Sequence, residues 1–454
     1  MSAYSLGRAC WIVRKLDGAA GRRAVFEDVV RKNPIVRFFY VLYGKSPEFL
    51  KSLLLLMYGL KSYLSVKWAD GRNADIAFFA SYPNEHVVLG HLRQGLGVHL
   101  RGLDDGTLSI ARANCFSLQS LRDLPSFLAQ LPRLYRLAGK FVRRFHFMPA
   151  CRIFSTLAYY ARFRRLLAAS GARAVFIANH YSPECLALAV AAHRSGRRVL
   201  FTNHANATWN TGFVPPLYCD LAAVTSQAVL DVYRAHSHKP FASVFLPQVV
   251  PQRPMLARIN RHKPITVGIF LTGLANRDRL RALVAQLEAN PHIGRILIRP
   301  HPVKAIREDL SGLCSAATRT SDSGSLELSD NIARCDLAIC GNSSVTVAVL
   351  RGGVPVFYDA GLDAGPDDAN RYVAQGLIPS MPARLDEAAL RLLENFYDAP
   401  AWQRAMHYFD AGYRQDEAVL FQRLARAVEA AVRPAPAGSS ETAPGETGIA
   451  LPAS

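Results

Sequence analysis

The apolar positions of this chain fall into blocks of different period, and the blocks predict different elements. Over residues 1 to about 70, apolar residues recur at helical spacing between lysines and arginines, as in FLKSLLLLMYGLKSYLSVKW, which predicts a basic helical extension. From Asp75 the pattern changes to short continuous apolar runs: ADIAFFAS, ARAVFIANH at 172–180, RRVLFTNH, and DLAAVTS from Asp220. Such runs predict strands covered on both faces. Helical stretches such as PECLALAVAAHRSG, closing on glycine, lie between them and imply βαβ units on a parallel sheet. Within this first α/β domain, placed at 71–255, a helical insertion of about 107–170 carries LPRLYRLAGKFVRRFHF and YYARFRRLLAAS, with arginines opposite the apolar stripe.

The polar break RINRHKP precedes a second α/β run placed at 256–400, in which ITVGIFLTGL, RILIRPHP, DLAICG and VPVFYDAG read as strands. Helices at 401–432 are expected to pack back on the domains. The tail 433–454, RPAPAGSSETAPGETGIALPAS, has the composition of a disordered segment. The fold class expected is therefore α/β: two Rossmann-like domains with a helical extension in front and a loose tail behind.

Charge narrows the partners. Lys and Arg number 54 against 35 acids, a net charge of +19 over 454 residues, which points to an anionic partner. The eight cysteines form no Cys-x-x-Cys pair and most sit in apolar runs, which fits buried free thiols in a reducing compartment and not a zinc site or disulfides. The N-terminus lacks a signal-peptide core, and the longest apolar run, Leu53 to Leu60, is far short of the roughly 20 residues a membrane span needs. The expected location is cytoplasmic, peripheral on the inner face of the plasma membrane.

Candidate chemistry gathers at strand ends. In RILIRPHPVK the apolar strand stops at Arg299-Pro300-His301-Pro302, and the prolines force the chain out of the sheet. His301 is thereby held at the carboxyl end of a strand, where open α/β sheets collect ligands. In ARCDLAICGNSSVTVAVLRGG a second strand ends at Cys340 and Gly341-Asn342-Ser343-Ser344 opens a helix, the local pattern of a phosphate site.

A His-Pro pair after a buried strand, followed some forty residues later by a Ser-Ser pair opening a helix, resembles the nucleotide half of GT-B glycosyltransferases that use cytidine-activated donors. Bacterial sialyltransferases and polysialyltransferases share this pair, as do CDP-glycerol glycerophosphotransferases. The resemblance, carried by residues 265–360, implies that His301, with Arg299 and Pro302 beside it, and Gly341, Asn342, Ser343 and Ser344 hold the donor phosphate, and that Glu327 holds the ribose. No Asp-x-Asp-like metal site stands in a convincing place, so metal-independent transfer is expected, with no cofactor besides a CMP- or CDP-linked donor.

Two candidates compete as the base that deprotonates the acceptor. Asp104-Asp105-Gly106 resembles the acidic motif of the sialyltransferases, although Asp-Asp-Gly is also ordinary turn chemistry. His204 ends the strand RVLFTNH, as the proposed base of the glycerophosphotransferases does, and imidazole suits the task. His180 and Asn203 are expected to line the acceptor side, where Asn179, Glu184 and Asn206 also stand.

The reading is a transferase moving a sialic acid or Kdo-like sugar to a bacterial cell-surface glycan or its lipid-linked precursor, at an anionic membrane face and without nucleic acid. CDP-glycerol or ribitol phosphotransfer, non-hydrolysing nucleotide-sugar epimerisation, and non-catalytic membrane or nucleic-acid binding are the alternatives.

Overall fold

The computed structural model describes residues 4–433 apart from 19–26, 28–29, 32, 71–72, 101–102, 111–120, 123, 130, 205–212, 256–258, 261, 303–309, 314 and 321–325. Of the tail expected to be disordered, 434–454 lie outside the described residues, as does Asn206.

Among the described residues the leading helices are α1 (Leu6–Gly18), α2 (Pro34–Lys45) and α3 (Glu48–Ser65). The first sheet follows, with β1 (Val66–Asp70), β2 (Ile76–Ala80), β3 (Asp105–Ile110), β4 (Ala174–Ile177), β5 (Arg198–Thr202), β6 (Leu221–Val224) and β7 (Ala242–Phe245). Their order is β1-β3-β2-β4-β5-β6-β7, parallel except for β1, which pairs antiparallel with β3 at the edge. The sheet thus starts at Val66, inside what reads as the helical extension, and takes β3 from the head of the helical insertion.

Helix α4 (Pro83–Gly97) links β2 to β3, the insertion supplies α5 (Leu124–Leu128), α6 (Leu131–Arg144) and α7 (Phe147–Ala168), and α8 (Pro183–Arg194) and α9 (Gln227–His236) follow β4 and β6. The alternation of the strands sorts the core into two layers. Phe79, Val175, Ile177, Val199 and Phe201 pack with α1, α7 and α8, while Phe78, Phe176 and Leu200 face the other way onto α4.

The second sheet has β8 (Ile265–Phe270), β9 (Ile293–Arg299), β10 (Thr318–Thr320), β11 (Leu337–Cys340) and β12 (Val356–Tyr358), all parallel, in the order β10-β9-β8-β11-β12. Its helices are α10 (Arg277–Glu288), α11 (Leu328–Ile332) and α12 (Val345–Arg351). Helices α13 (Glu387–Asp398) and α14 (Pro400–Phe409) close this core, but α15 (Glu417–Val432) returns to the first domain. Its Phe421, Leu424 and Val428 complete the layer beneath Phe78, Phe176 and Leu200. The last helix therefore belongs to the core of the first domain, and the chain crosses between domains twice.

Candidate functional site

In the second sheet β8 lies between β9 and β11, with Phe270 level with both Arg299 and Cys340. Neighbouring strands are about 4.8 Å apart, so the polar turns after β9 and β11 flank the end of β8 about 10 Å from one another. The chain runs from β8 to β9 on one side and reaches β11 on the other, which makes this edge the point where strand order reverses and the sheet opens a crevice. Arg299, His301, Gly341 and Ser344 are brought together there by two strand ends that are distant in sequence.

Each residue has a definite task in this edge. The Arg299 guanidinium donates to the Leu326 carbonyl at 3.0 Å, which holds exposed Glu327, the residue before α11, beside the end of β9. His301 is half-buried and Pro302 exposed. Gly341 is required by close approach: a Cβ there would run into the Asp363 carboxylate. That carboxylate accepts from the Asn342 N–H and from the Thr272 hydroxyl, and burial raises its pKa above the ordinary carboxylate range.

Asn342, expected among the donor-binding residues, is a pin for the neighbouring loop. Its amide donates to the Pro366 carbonyl at 2.8 Å and its Oδ1 accepts from the Ala369 N–H at 2.7 Å. Ser343 is buried, with its Oγ 3.4 Å from the Val345 N–H, whereas Ser344 stands exposed at the start of α12 without a side-chain cap bond. Across the same edge a bidentate pair joins Arg279 of α10 to Asp359 after β12, at 2.7 and 2.6 Å. Neither residue stood out in the sequence, because a lone arginine in a helix carries no motif.

The first sheet has its own reversal point between β2 and β4, and two buried carboxylates occupy it. Glu85, in the first turn of α4, accepts from the Ser81 N–H at 2.9 Å and from the Asn179 amide at 3.1 Å. Glu184, in the first turn of α8, and Glu85 each lie within hydrogen-bonding distance of the Ser81 hydroxyl, at 3.0 and 3.1 Å. One hydroxyl has one proton to donate, so Ser81 serves one carboxyl of the pair at a time. Burial raises the Glu184 pKa above the ordinary carboxylate range. The Glu184 charge in turn pushes the Tyr82 phenol up. Glu85 was invisible in SYPNEHVV because an acid three residues into a helix reads as ordinary capping.

His204 follows β5 on the same carboxyl edge. Its Nδ1 meets the Ala178 carbonyl, which can only accept, so the proton sits on Nδ1 and the lone pair on Nε2. Nε2 lies 3.5 Å from the Tyr181 hydroxyl. Asn203 beside it is buried and tied to Thr225, donating to its Oγ1 at 3.1 Å and accepting from its N–H at 3.0 Å, so it braces β5 against the end of β6.

Two candidates are corrected by position. Asp105 is level with Ile76, the first residue of β2, so Asp104 and Asp105 stand at the amino edge of the sheet. With about 3.3 Å per residue and about 4.8 Å per strand, more than about 20 Å separates them from His204. Asp105 is paired there with Arg93, Nη2 to Oδ1 at 2.8 Å, and the Asp104 backbone joins β2 through the Asp75 and Ile76 N–H groups. This is turn and strand-end structure. A surface cavity of about 520 Å³ lined by Asn260, His262, His292 and Glu387 also opens at an amino edge, that of the second sheet.

His180, expected on the acceptor side, is 8% exposed and edge-packed by Tyr181, Phe201 and Tyr233. Burial first, then the neighbouring His204, lowers its pKa to about 3 against the pull of the Pro215 carbonyl. The unfolded chain takes up this proton at about pH 6.5 and the folded chain does not until about 3, so falling pH destabilises the fold across that window. The slope is up to about 1.4 kcal/mol per pH unit. His180→Phe is expected to flatten it, measured as urea midpoints at steps between about pH 6.5 and 4. Equal slopes in both proteins would mean that the folded state protonates the ring.

No protein-family model matches the chain, and no curated protein does. Solved structures do. A Listeria monocytogenes protein assigned as a UDP-N-acetylglucosamine 2-epimerase superposes with a TM-score of 0.50 at 11% identity, over 79% of this chain and 96% of that one. S. aureus MnaA with UDP gives 0.48 at 10% identity, over 79% and 96%. The glycosyltransferase of kitacinnamycin gives 0.47 at 12% identity, over 79% and 99%. At such identities the likeness is one of fold: two Rossmann-like domains in the GT-B arrangement, with the last helix returned to the first domain.

Proposed function

We propose that this protein is a nucleotide-sugar-dependent group transferase whose donor nucleotide lies on the carboxyl edge of the second sheet and whose acceptor enters the crevice of the first. The observation that carries the reading is the juxtaposition of Arg299-Pro300-His301 and the Gly341–Ser344 turn on either side of β8. His301, Ser344 and the backbone N–H groups of that turn would offset charge developing on the leaving phosphate without a metal. Glu327, held by the Arg299–Leu326 bond, would meet the ribose.

His204 Nε2 would take the acceptor hydroxyl proton as the oxygen bonds to the donor's anomeric carbon, or to the phosphorus of a polyol-phosphate donor, and the nucleotide departs. Glu184, in the first turn of the helix after the neighbouring strand, would meet the acceptor or product. Cytidine is the proposed base, on the His-Pro and Ser-Ser spacing. The sialic acid or Kdo-like group expected from Asp-Asp-Gly has no support from that motif at the amino edge, and a base at His204 is what the polyol-phosphate transferases share.

A second reading, epimerisation of a UDP-sugar, is favoured by one specific feature: buried Glu85 and Glu184 in the crevice, since such epimerases use carboxylates there. Nucleotide identity separates the two. Calorimetry with CMP, CDP, UDP, GDP and ADP is expected to give cytidine-selective binding, weakened about tenfold or more by His301→Ala and by Ser344→Ala, each of which removes a contact to a charged group. UDP-selective binding would favour the epimerase, and binding of no nucleotide would overturn both.

A further inference from the structure

The large apolar side chains that stand in water are concentrated on two consecutive helices. Ile35 is 68% exposed, Phe38 62%, Phe49 63% and Met57 58%, with Phe39 and Leu53 more than 40% exposed among them. Of α2 only Tyr43 is buried, although its sequence PIVRFFYVLYGK is mostly apolar. An uncovered face of this kind marks a surface that meets something apolar.

The charges around it are of one sign. Arg37, Lys45, Lys51 and Lys61 lie on α2 and α3 against one carboxylate, Glu48, which is paired with Arg143 at 2.8 Å. Helix α6, packed beside α3, adds exposed Arg136, Lys140 and Arg144 and contains no acid. Aromatic and branched apolar residues beside lysines and arginines are the composition of a helix lying in a membrane interface. No helix among the described residues is long and apolar enough to cross a membrane, so the geometry is of one lying on it. A second copy of the chain is the competing occupant, but a symmetric dimer would press basic rims of like sign together.

We propose that α2, α3 and the basic side of α6 form a docking surface for an anionic phospholipid bilayer, with Phe38, Phe39 and Phe49 entering the acyl boundary and the flanking lysines and arginines meeting headgroup phosphates. The surface is rigidly joined to the acceptor crevice. Helix α3 lies along α7, with Gly59 under the Phe154 ring and the Ser62 and Ser155 hydroxyls 2.9 Å apart. Helix α7 in turn carries Tyr159, whose phenol is pushed up first by burial and then by the Glu184 charge. On the transferase reading, and resting on it, a lipid-linked acceptor would enter this crevice from the bilayer that the helices touch.

The test is sedimentation of the full chain with vesicles of phosphatidylglycerol and phosphatidylcholine, against phosphatidylcholine alone, at low and raised salt. The wild type is expected to bind the anionic vesicles, with at least about tenfold weaker partition onto neutral ones, as a polybasic rim worth about fivefold per charge near the surface requires. The Phe38→Ser/Phe39→Ser/Phe49→Ser variant is expected to lose a similar factor with its thermal midpoint and nucleotide binding unchanged, and Lys45→Glu/Lys51→Glu to lose the preference for anionic lipid. Wild type that stays in the supernatant, or a triple serine variant that sediments equally, would overturn the proposal. So would a wild-type dimer in light scattering that the serines convert to monomer without any vesicle binding, which would assign the face to a second copy. Vesicle binding without nucleotide binding would keep the surface and remove only the transferase reading.

Discussion

His204→Ala is expected to lower turnover by about 10²- to 10⁴-fold, the range for loss of a positioned general base, while nucleotide affinity stays within about twofold. The Ala178 carbonyl fixes Nδ1 as the donor, so Nε2 carries the lone pair without waiting for a tautomer to form. The edge proposed for the nucleotide is built from the second sheet, which contains none of the His204 contacts. Loss of rate with binding retained is the signature of a group that acts on the acceptor in the transition state. His204→Gln, which can still donate to Ala178 but offers no basic nitrogen, should be as slow as His204→Ala. A variant within a few-fold of wild type would remove His204 as base and turn attention to the Glu85–Glu184 pair.

What the sequence could say about this site depended on whether a motif carries its own geometry. Arg-Pro-His-Pro does, because an unbroken apolar strand followed by two prolines places the histidine at a carboxyl edge whatever the rest of the chain does. Cys340 followed by Gly-Asn-Ser-Ser does so for the same reason, and the βαβ alternation fixed the fold class. Asp-Asp-Gly does not. The same three residues end a turn whether a strand is about to start or has just stopped, and here Asp105 opens β3. β1 was hidden in VKWAD because an edge strand paired on one side needs no continuous apolar run. Asn342 and Asn203 were recognised as polar strand ends, but a sequence gives no count of the backbone groups nearby that compete for an amide. The carboxylate pair joins residues 85 and 184 through a serine at 81, a long-range contact that appears only once β2 and β4 are paired.

Arg351→Met is expected to cause the largest loss of stability, about 3–5 kcal/mol, read as a shift in the denaturant midpoint. The guanidinium is 1% exposed and makes three bonds to three different parts of the chain. Nε donates to the Val250 carbonyl at 2.6 Å in the segment between the domains, Nη1 to Asp410 at 2.8 Å after α14, and Nη2 to Glu417 at 2.8 Å at the start of α15. Asp410 is fully buried, and burial raises its pKa against the pull of Arg351. Removing the cation leaves an uncompensated carboxyl in the interior, and that desolvation, not the lost attraction alone, dominates the cost. Adding Asp410→Asn to Arg351→Met should therefore recover part of the loss, since a neutral amide can keep accepting from Gly412 without a buried charge. The same junction carries a functional consequence. Arg351 ends the helix that opens at Ser344, while α15 forms part of the core under the first sheet. If the junction transmits position, the single variant assayed below its midpoint should bind nucleotide normally and yet transfer more slowly, because donor and acceptor edges would no longer be held in register. Equal losses in binding and turnover, with no recovery in the double variant, would reduce Arg351 to a packing residue of the second domain alone.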